Sequence, residues 1–280
     1  MKPFTFNHDA RLCTFTEIIV KKKILPYRDP FGHPILAKRV VIFFFGLIAW
    51  YRCNYINKTK IKGGDFLKDL PSKNVLFVSN HQTYFMDAAA LILIFSHVKN
   101  KIFDRSDRFW PLAVPKVNVF FIAAKETMKS GILPRLLALA GSVSIKRTWR
   151  ESGKAVNRSA DPKDLDKIRD AISSGWVITF PQGSTKPFIE GRRGTAHIVK
   201  EVNPIVVPVV IDGFRRAFDK KGLRIKKTGT ELRIEFKKPL QFKAEDSVRN
   251  ILDEIMDKIE QAPKYKAFRK FTVLNKTLKE

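Results

Sequence analysis

Cysteine is scarce in this sequence. The 280 residues include only Cys13 and Cys53, and no CxxC spacing occurs. Two thiols do not make the disulfide framework of a small secreted domain or a zinc-binding cluster, so we interpret them as ordinary reduced thiols. The fold must then depend on a hydrophobic core. The length and the 44% hydrophobic content suit one large α/β domain with a short N-terminal attachment.

Acidic side chains are also in deficit. The chain has 27 Asp and Glu residues against 53 Lys and Arg residues, which gives a formal net charge of +26. A field of this strength implies an anionic partner. Nucleic acid, an anionic membrane surface and acidic soluble molecules all meet that condition. The 23 phenylalanines do not separate them, because aromatic rings stack on bases but also fill cores and membrane interfaces.

Long apolar runs are absent. A spanning helix needs roughly 18–20 apolar residues, and the longest run here extends only from Val40 to Tyr51, with Lys38-Arg39 before it and Arg52 after it. Two interpretations remain, a buried core helix and a helix lying in the membrane interface. We favour the second, because the first 75 residues carry 14 basic and five acidic side chains.

The remaining sequence alternates between strand and helix patterns. Short apolar runs at 74–79, 142–145, 176–180 and 205–211 predict buried strands, and the proline in the last run predicts an edge or bulge position. Helices are predicted at 86–95, at 161–175, which starts with Asp161-Pro162, and at 248–259.

Two alternating segments, 223–227 and 231–237, predict a hairpin around Thr228-Gly229, and polar residues 57–72 predict a connection. We therefore expect an α/β fold with a mixed, mainly buried sheet flanked by helices and an N-terminal interfacial helical segment. The predicted divisions are a membrane-association segment at 1–70, a domain at 71–262 that carries the chemistry, and a basic tail at 263–280. Chemistry is expected where loops leave the strand ends.

The block Asn80-His-Gln-Thr-Tyr-Phe-Met-Asp87 follows a predicted strand. A histidine titrates near neutral pH and can take a proton from a hydroxyl group. A carboxylate on its other ring nitrogen would fix the tautomer. His81 and Asp87 are therefore a candidate base and its orienting group, although an isolated His and Asp of this kind is more often structural.

Two further blocks bring cations and small polar residues to strand ends. Gly141-Ser-Val-Ser-Ile-Lys-Arg147 delivers Lys146 and Arg147, and a guanidinium can bind a phosphate with two hydrogen bonds. Phe180-Pro-Gln-Gly-Ser-Thr-Lys186 places a glycine turn, two hydroxyls and a lysine after a strand, which suits an anion-binding concavity. Each block alone is equally consistent with a solvated charged strand end or a plain turn.

In this order, the three blocks and the apolar Val206-Val-Pro-Val-Val-Ile211 resemble the glycerolipid acyltransferase family, which includes the 1-acylglycerol-3-phosphate acyltransferases. The family pattern has NHxxxxD, a glycine-to-arginine strand block, FPEGTR and an apolar block with a proline. The resemblance spans roughly residues 70–215, and Lys125-Glu126 is similar to the family's AKxE segment.

Two departures affect what the resemblance implies. Five residues, rather than four, separate His81 from Asp87, and Gln182 and Thr185 stand where the family has Glu and Arg. A one-residue insertion in a regular helix would rotate Asp87 by about 100°, so we expect a bulged loop to restore its contact with His81. Lys186, one position later, is expected to supply the missing cation.

The resemblance implies direct acyl transfer from an acyl thioester, carried by acyl carrier protein or coenzyme A, to the free hydroxyl of 1-acylglycerol-3-phosphate, giving phosphatidate. His81 is then the base and Asp87 its orienting group, with no metal and no bound cofactor. The implied substrate-binding residues, with backbone donors near Gly183 facing the oxyanion, are Lys125, Arg147, Gln182, Gly183, Ser184, Thr185 and Lys186.

The expected partners are an anionic membrane surface, a lysolipid acceptor and the thioester carrier, and nucleic acid is not expected. The expected location is peripheral, on the cytoplasmic face of the membrane. Alternatives are acylation of another lysolipid, such as a lysophospholipid or a lipo-amino acid, and a non-enzymatic basic protein that binds membrane or nucleic acid by charge.

Overall fold

The structure, a computed structural model, describes residues 27–129, 131–146, 150–151, 154–155 and 161–266. Arg147 and most of the basic tail lie outside the described residues, as does the start of the N-terminal segment. The predicted α/β fold is confirmed. A sheet of seven strands forms the centre, with helices on both of its faces.

The strands are short, and those in the middle of the sheet are buried on both faces. In chain order they are β1 (Lys58–Lys62), β2 (Val75–Ser79), β3 (Val119–Ala124), β4 (Ser142–Ile145), β5 (Arg150–Glu151), β6 (Lys154–Ala155), β7 (Trp176–Thr179), β8 (Ile205–Asp212) and β9 (Glu231–Phe236).

The large sheet has the order β1-β9-β8-β2-β7-β3-β4, and β5 pairs only with β6. All neighbours in the large sheet run parallel except β8 and β9, so the sheet is mixed, as predicted. The carboxyl ends of β2, β3, β4, β7 and β8 consequently share one edge, which is where an open α/β sheet places its ligands.

Eight α-helices and three shorter helical segments connect the strands in the described part of the chain. A π-helix spans Tyr51–Ile56, and 3-10 turns span Gly64–Leu67 and Trp110–Leu112. The α-helices are α1 (Ile35–Trp50), α2 (Met86–Lys99), α3 (Lys125–Lys129), α4 (Ile132–Ala138), α5 (Pro162–Ser174), α6 (Arg193–Val202), α7 (Phe214–Ala217) and α8 (Val248–Lys258).

Alternate side chains of the central strands point to opposite faces of the sheet. Phe77 of β2 packs with Phe95 and Trp176 on the face covered by α1 and α2. Leu76 packs on the opposite face against α5, α6 and α8, whose residues include Ile172. Helix α5 starts as predicted, because the Asp161 side chain accepts a hydrogen bond from the Lys163 amide.

The apolar run at 40–51 forms most of α1, which is buried on one side only. Ile42, Gly46 and Ala49 face the core, and the glycine lets Leu112 approach closely. The opposite side exposes an apolar row at four-residue spacing, which we call the α1 row: Leu36, Val40, Phe44 and Ile48. No helix in the described part of the chain combines the length and apolar character needed to cross a membrane.

Of the edge or bulge position predicted for the proline-containing strand, only the edge is wrong, because the register shifts by one residue beside Pro208, between the Val206–Leu240 bridge and the Val209–Phe236 pair, as in a bulge. Strand β8 lies inside the sheet, between β2 and β9. The Pro208 carbonyl accepts the Lys237 amide, and the β8–β9 pairing begins only at the next residue, Val209, opposite Phe236. Since the N and the carbonyl of one strand residue point to the same side, the missing amide of Pro208 faces the end of the β9 ladder, where little pairing is lost.

The predicted hairpin is also wrong in its first arm. Residues 223–227 form a loop with one isolated bridge, Phe218 to Ile225, whereas β9 pairs with β8 and β1. The segment 57–72, predicted as a connection, contains β1 at the sheet edge. Its lysines Lys58, Lys60 and Lys62 are exposed, which discourages pairing of this edge with other chains.

Candidate active site

The loop after β2 is fixed to the end of β8 by hydrogen bonds. Asn80 donates from Nδ2 to the Ile211 carbonyl at 2.8 Å and accepts the Ile211 amide at 2.7 Å. Gln82 donates to the same carbonyl at 3.0 Å and accepts the Arg215 amide at 3.0 Å. Residues on both sides of His81 are thus anchored, which leaves the imidazole in a defined position.

The contact predicted between His81 and Asp87 is present. His81 Nδ1 lies 3.0 Å from Asp87 Oδ2, and the Asp87 side chain is fully buried. A carboxylate on Nδ1 holds the proton on that nitrogen and leaves Nε2 as the acceptor. Because Asp87 is the second residue of α2, its carboxylate also faces the positive end of the helix dipole.

The extra residue is absorbed by a bulged loop, as predicted. Residues 81–85 are not helical, and α2 begins only at Met86. The Asp87 carboxylate reaches back to accept the Gln82 amide at 2.5 Å, the Thr83 amide at 3.0 Å and the Thr83 hydroxyl at 2.7 Å. The same carboxylate therefore shapes the loop and contacts the histidine.

A second element holds the imidazole from its face. The His81 ring stacks on Phe180, with ring centroids 3.9 Å apart and planes 18° apart. Phe180 follows β7, so the first and third sequence blocks meet at the histidine. Stacking and the carboxylate contact together fix both the tilt and the rotation of the ring, and the side chain keeps 13% of its surface exposed.

His81 opens into a cavity of about 890 Å³ along the carboxyl edge of the sheet. Its walls are mainly apolar and come from both faces of the sheet: Ile42 and Phe45 of α1, Ile92 of α2, Phe121 of β3, and Ile168 of α5. A cavity of this volume with mainly apolar walls suits a fatty acyl chain, and His81 is one of its polar lining residues.

Polar groups gather on the side of the cavity formed by α5 and α6. Gly194 and Thr195, in the first turn of α6, line it together with Lys146 and Asp164. Burial tends to raise the pKa of Asp164, but hydrogen bonds from the Lys167 ammonium and the Lys146 amide outweigh it and hold that pKa below its usual value. Asp164 is therefore a carboxylate at neutral pH.

The third block divides between two places. Gly183 and Ser184 line the large cavity, and their role in binding substrate stays a prediction. Thr185 and Lys186 instead line a second pocket of about 280 Å³. Gln182 lines neither and is buried, donating to the Ile189 carbonyl at 3.1 Å. Its Oε1 has no hydrogen-bond partner among the described residues.

The amide of Gly183 itself is not among the backbone donors that were predicted near this residue to face the oxyanion. Its amide donates to the Phe180 carbonyl at 2.9 Å and closes the turn, with the glycine at a φ of 59°. This amide is committed to the turn. The first turn of α6 borders the cavity, and the first amides of a helix have no partner within the helix.

Two further predicted cations have different outcomes. Lys125 begins α3 and is exposed, outside the lining of either cavity, although its neighbours Glu126 and Thr127 line the large one. Arg147 lies outside the described residues. Their roles in binding substrate stay predictions.

Sequence reasoning missed Arg215 and the segment that follows it. Arg215 donates from its guanidinium to the Thr185 carbonyl, so a residue distant in sequence stands beside the position where the family has arginine. Residues 219–227, here called the basic loop, pack on residues 80–87, here called the histidine loop. The amides of Tyr84 and Phe85 donate to the carbonyls of Lys220 and Lys221. Only their high density of lysine and arginine signalled a role.

The comparisons with known proteins agree with this geometry. A sequence model of the acyltransferase family matches residues 58–212. No curated protein matches the chain. The crystal structure of the 1-acyl-sn-glycerophosphate acyltransferase PlsC from Thermotoga maritima has a similar fold, with a TM-score of 0.53 and 16% identity over 82% of this chain and 79% of that one. Because the family match covers more than half of the chain and includes His81 and Asp87, the protein belongs to the acyltransferase family.

Proposed function

We propose that the protein transfers a fatty acyl chain from an acyl thioester to the free hydroxyl of 1-acylglycerol-3-phosphate, giving phosphatidate for phospholipid synthesis. The observation that carries this proposal is the His81–Asp87 pair, whose histidine lines a cavity of about 890 Å³ with mainly apolar walls. The fold likeness to an enzyme described as acting on this acceptor supports the choice of acceptor.

The proposed reaction is a direct transfer. His81 Nε2 takes the proton of the acceptor hydroxyl, and the oxygen attacks the thioester carbonyl. The tetrahedral intermediate collapses as the carbon–sulfur bond breaks, and the imidazolium returns its proton to the thiolate. One ester and one thiol form from one alcohol and one thioester, with no net proton or electron change.

Two groups of the chain would lower the barrier further. Asp87 stabilises the imidazolium and prevents the tautomer that protonates Nε2. The amides at the start of α6, which have no partner within the helix, would stabilise negative charge on the carbonyl oxygen or on a phosphate beside Gly194 and Thr195. Neither of these contributions requires a metal ion.

The acyl chain is proposed to lie along the apolar wall of the cavity, from His81 past Ala88 and Ile92. Acyl carrier protein and coenzyme A both present such a chain through an anionic arm, and the net charge of +26 suits either. Acylation of another lysolipid is the alternative within the family, because Gln182 and Thr185 replace two family residues near the site.

We further propose that the protein binds the cytoplasmic face of the membrane peripherally, through the α1 row. Phe44 exposes 60% of its surface and Leu36 exposes 70%. Phe109 and Trp110 are exposed as well, and Phe109 contacts Trp50 at the end of α1. Apolar side chains beside cations suit the interface of an anionic bilayer.

One assay tests the reaction. The purified protein is incubated with acyl-coenzyme A or acyl carrier protein thioesters and a panel of lysolipids, and products are identified by mass. Phosphatidate formed only with 1-acylglycerol-3-phosphate supports the proposal. If a different lysolipid is acylated, that lysolipid is the acceptor instead. If no pair of substrates gives a product, binding of anionic partners by charge remains as the function.

Flotation with anionic vesicles tests the membrane proposal. Phe44→Glu is expected to lower vesicle binding by about tenfold or more. The change removes apolar area that would be buried in the bilayer and adds a negative charge that anionic headgroups repel. Phe66→Glu is the matched control, since Phe66 is 42% exposed and lies outside the α1 row. Complete release of the wild type by salt alone would contradict apolar insertion.

A further inference from the structure

The geometry points to a second substrate subsite, a phosphate-binding pocket in which Arg215, Lys220 and Lys226, which no sequence block assigned, join Lys186 of the third block. It rests on the proposed function and names how that site holds an anionic substrate. The pocket of about 280 Å³ has its apolar walls from Pro187 and Phe218, and its other lining residues are Gln82, Thr185, Lys186, Arg215, Lys220 and Lys226.

The lining carries four cations and no carboxylate among the described residues. Three of these cations are Lys186, Lys220 and Lys226, whose like charges around one small pocket repel one another, and a bound anion would relieve that repulsion. Two acids are near. Asp219 of the basic loop accepts the Leu223 and Arg224 amides, and Asp212 Oδ1 accepts a hydrogen bond from Gln82 Nε2 at 3.3 Å. Its other oxygen lies 3.4 Å from the Arg216 guanidinium, so this carboxylate is already engaged.

Three of the four cations contact other groups of the protein. Arg215 contacts the Thr185 carbonyl through its guanidinium, and Lys226 donates from Nζ to the Arg215 carbonyl at 3.2 Å. Lys220 lies over the Tyr84 ring at 5.7 Å, and its own carbonyl accepts the Tyr84 amide. The basic loop therefore presents its charge at a fixed place beside the histidine loop.

The pocket adjoins the reacting centre through two neighbouring residues. His81 faces the apolar cavity and Gln82 faces the cationic pocket. A volume of about 280 Å³ is too small for a lipid but sufficient for a charged group. A substrate with its acyl part in the first cavity could thus place a phosphate in the second.

Two substrates of the proposed reaction supply such a phosphate. The acceptor carries one on its glycerol, and both thioester donors carry one on the pantetheine arm. The recognition chemistry is the same for either source, namely charge-assisted hydrogen bonds from ammonium and guanidinium groups to phosphate oxygens. The experiment separates the sources.

The test variant is Lys186→Ala, Lys220→Ala and Lys226→Ala combined, which keeps Arg215 and its structural contacts. The matched control removes three exposed lysines elsewhere: Lys238, Lys243 and Lys258. Calorimetry measures binding of glycerol 3-phosphate and of pantetheine 4′-phosphate, and steady-state kinetics give KM for the acceptor and the thioester. Circular dichroism confirms that both variants fold.

The test variant is expected to raise one KM about tenfold and to weaken the matching soluble probe, while the control leaves both within twofold. A rise for the acceptor assigns its phosphate to the pocket, and a rise for the thioester assigns the pantetheine phosphate. Unchanged binding of both probes, or equal rises for both substrates, would overturn the subsite. If the wild type catalyses no transfer but a probe still binds it and not the variant, the proposed reaction fails and the pocket stands.

Discussion

The histidine loop, residues 80–87, and the glycine loop, residues 180–187, depart from the family pattern in opposite ways. The first has an extra residue, yet its carboxylate still reaches the imidazole because three hydrogen bonds fold the loop back on Asp87. The second keeps its length but changes two side chains, and Gln182 and Thr185 now face away from the large cavity. An insertion in a loop can be absorbed locally, whereas a changed side chain must find new partners.

The largest effect is expected at the centre of the first loop. His81→Ala removes the proposed base and should lower kcat by about 10²–10⁴. Folding and vesicle binding should survive, because the imidazole stacks on Phe180 without being a buried core residue. The measurement is single-turnover acyl transfer, with circular dichroism as the control for folding. Retention of more than about half of the wild-type rate would exclude His81 as the base.

Asp87→Asn tests whether the bulge preserves function as well as contact. The amide would replace one of the two acceptor oxygens with an NH2 donor and remove the negative charge, whereas Oδ2 of the carboxylate now accepts from His81, Gln82 and Thr83. We expect kcat to fall by about 10² with a nearly unchanged acceptor KM, since the damage is to the tautomer of the base. Thr83→Val is the matched control, because it removes one contact to Asp87 without touching the histidine. A wild-type rate in Asp87→Asn would show that His81 works without an acid.

The contrast between the loops also marks what sequence could predict. Strands β2 and β7 follow from apolar runs bounded by turn residues, and α5 follows from its Asp-Pro start. The His81–Asp87 contact could be expected because the two residues are close in sequence. The edge position predicted from Pro208 was wrong. Proline favours an edge strand because it lacks an amide donor, and only the register with β9 shows that this donor is not needed at position 208.

Contacts across long sequence distances could not be predicted. Arg215 meets Thr185 because α7 follows β8 at the same sheet edge as the glycine loop, and no local pattern records that neighbour. Gln182 reaches Gln261, 79 positions away. The prediction that Lys186 replaces the family arginine was made from sequence adjacency alone, so it did not consider Arg215.

Restoring the family's glutamate tests how far the glycine loop has adapted. Gln182→Glu would replace the amide that donates to the Ile189 carbonyl and to Gln261 Oε1 with oxygens that repel both. Since the side chain is 1% exposed, we expect the free energy of unfolding to fall by about 1–3 kcal/mol. Chemical denaturation measures it, and Gln241→Glu, a change at a solvent-accessible glutamine, is the control for charge alone. An unchanged stability would mean that the pocket around residue 182 accepts either side chain.

The smallest effect is expected for the arginine that the glycine loop lacks, and it tests most directly whether Arg215 has replaced it. Thr185→Arg restores the family residue, but Thr185 is 7% exposed and its carbonyl already accepts the Arg215 guanidinium. Two guanidinium groups would compete for one place, so the single change should raise the acceptor KM by about threefold rather than lower it.

Arg215→Ala alone should raise the acceptor KM by a similar factor if Arg215 is the cation that serves this position. In the double variant the new arginine has no competitor, and the KM should return toward the wild-type value, a coupling of about 1 kcal/mol between the two sites. Additive losses in the double variant would mean that Arg215 does not replace the family arginine, and Lys186 would remain the candidate.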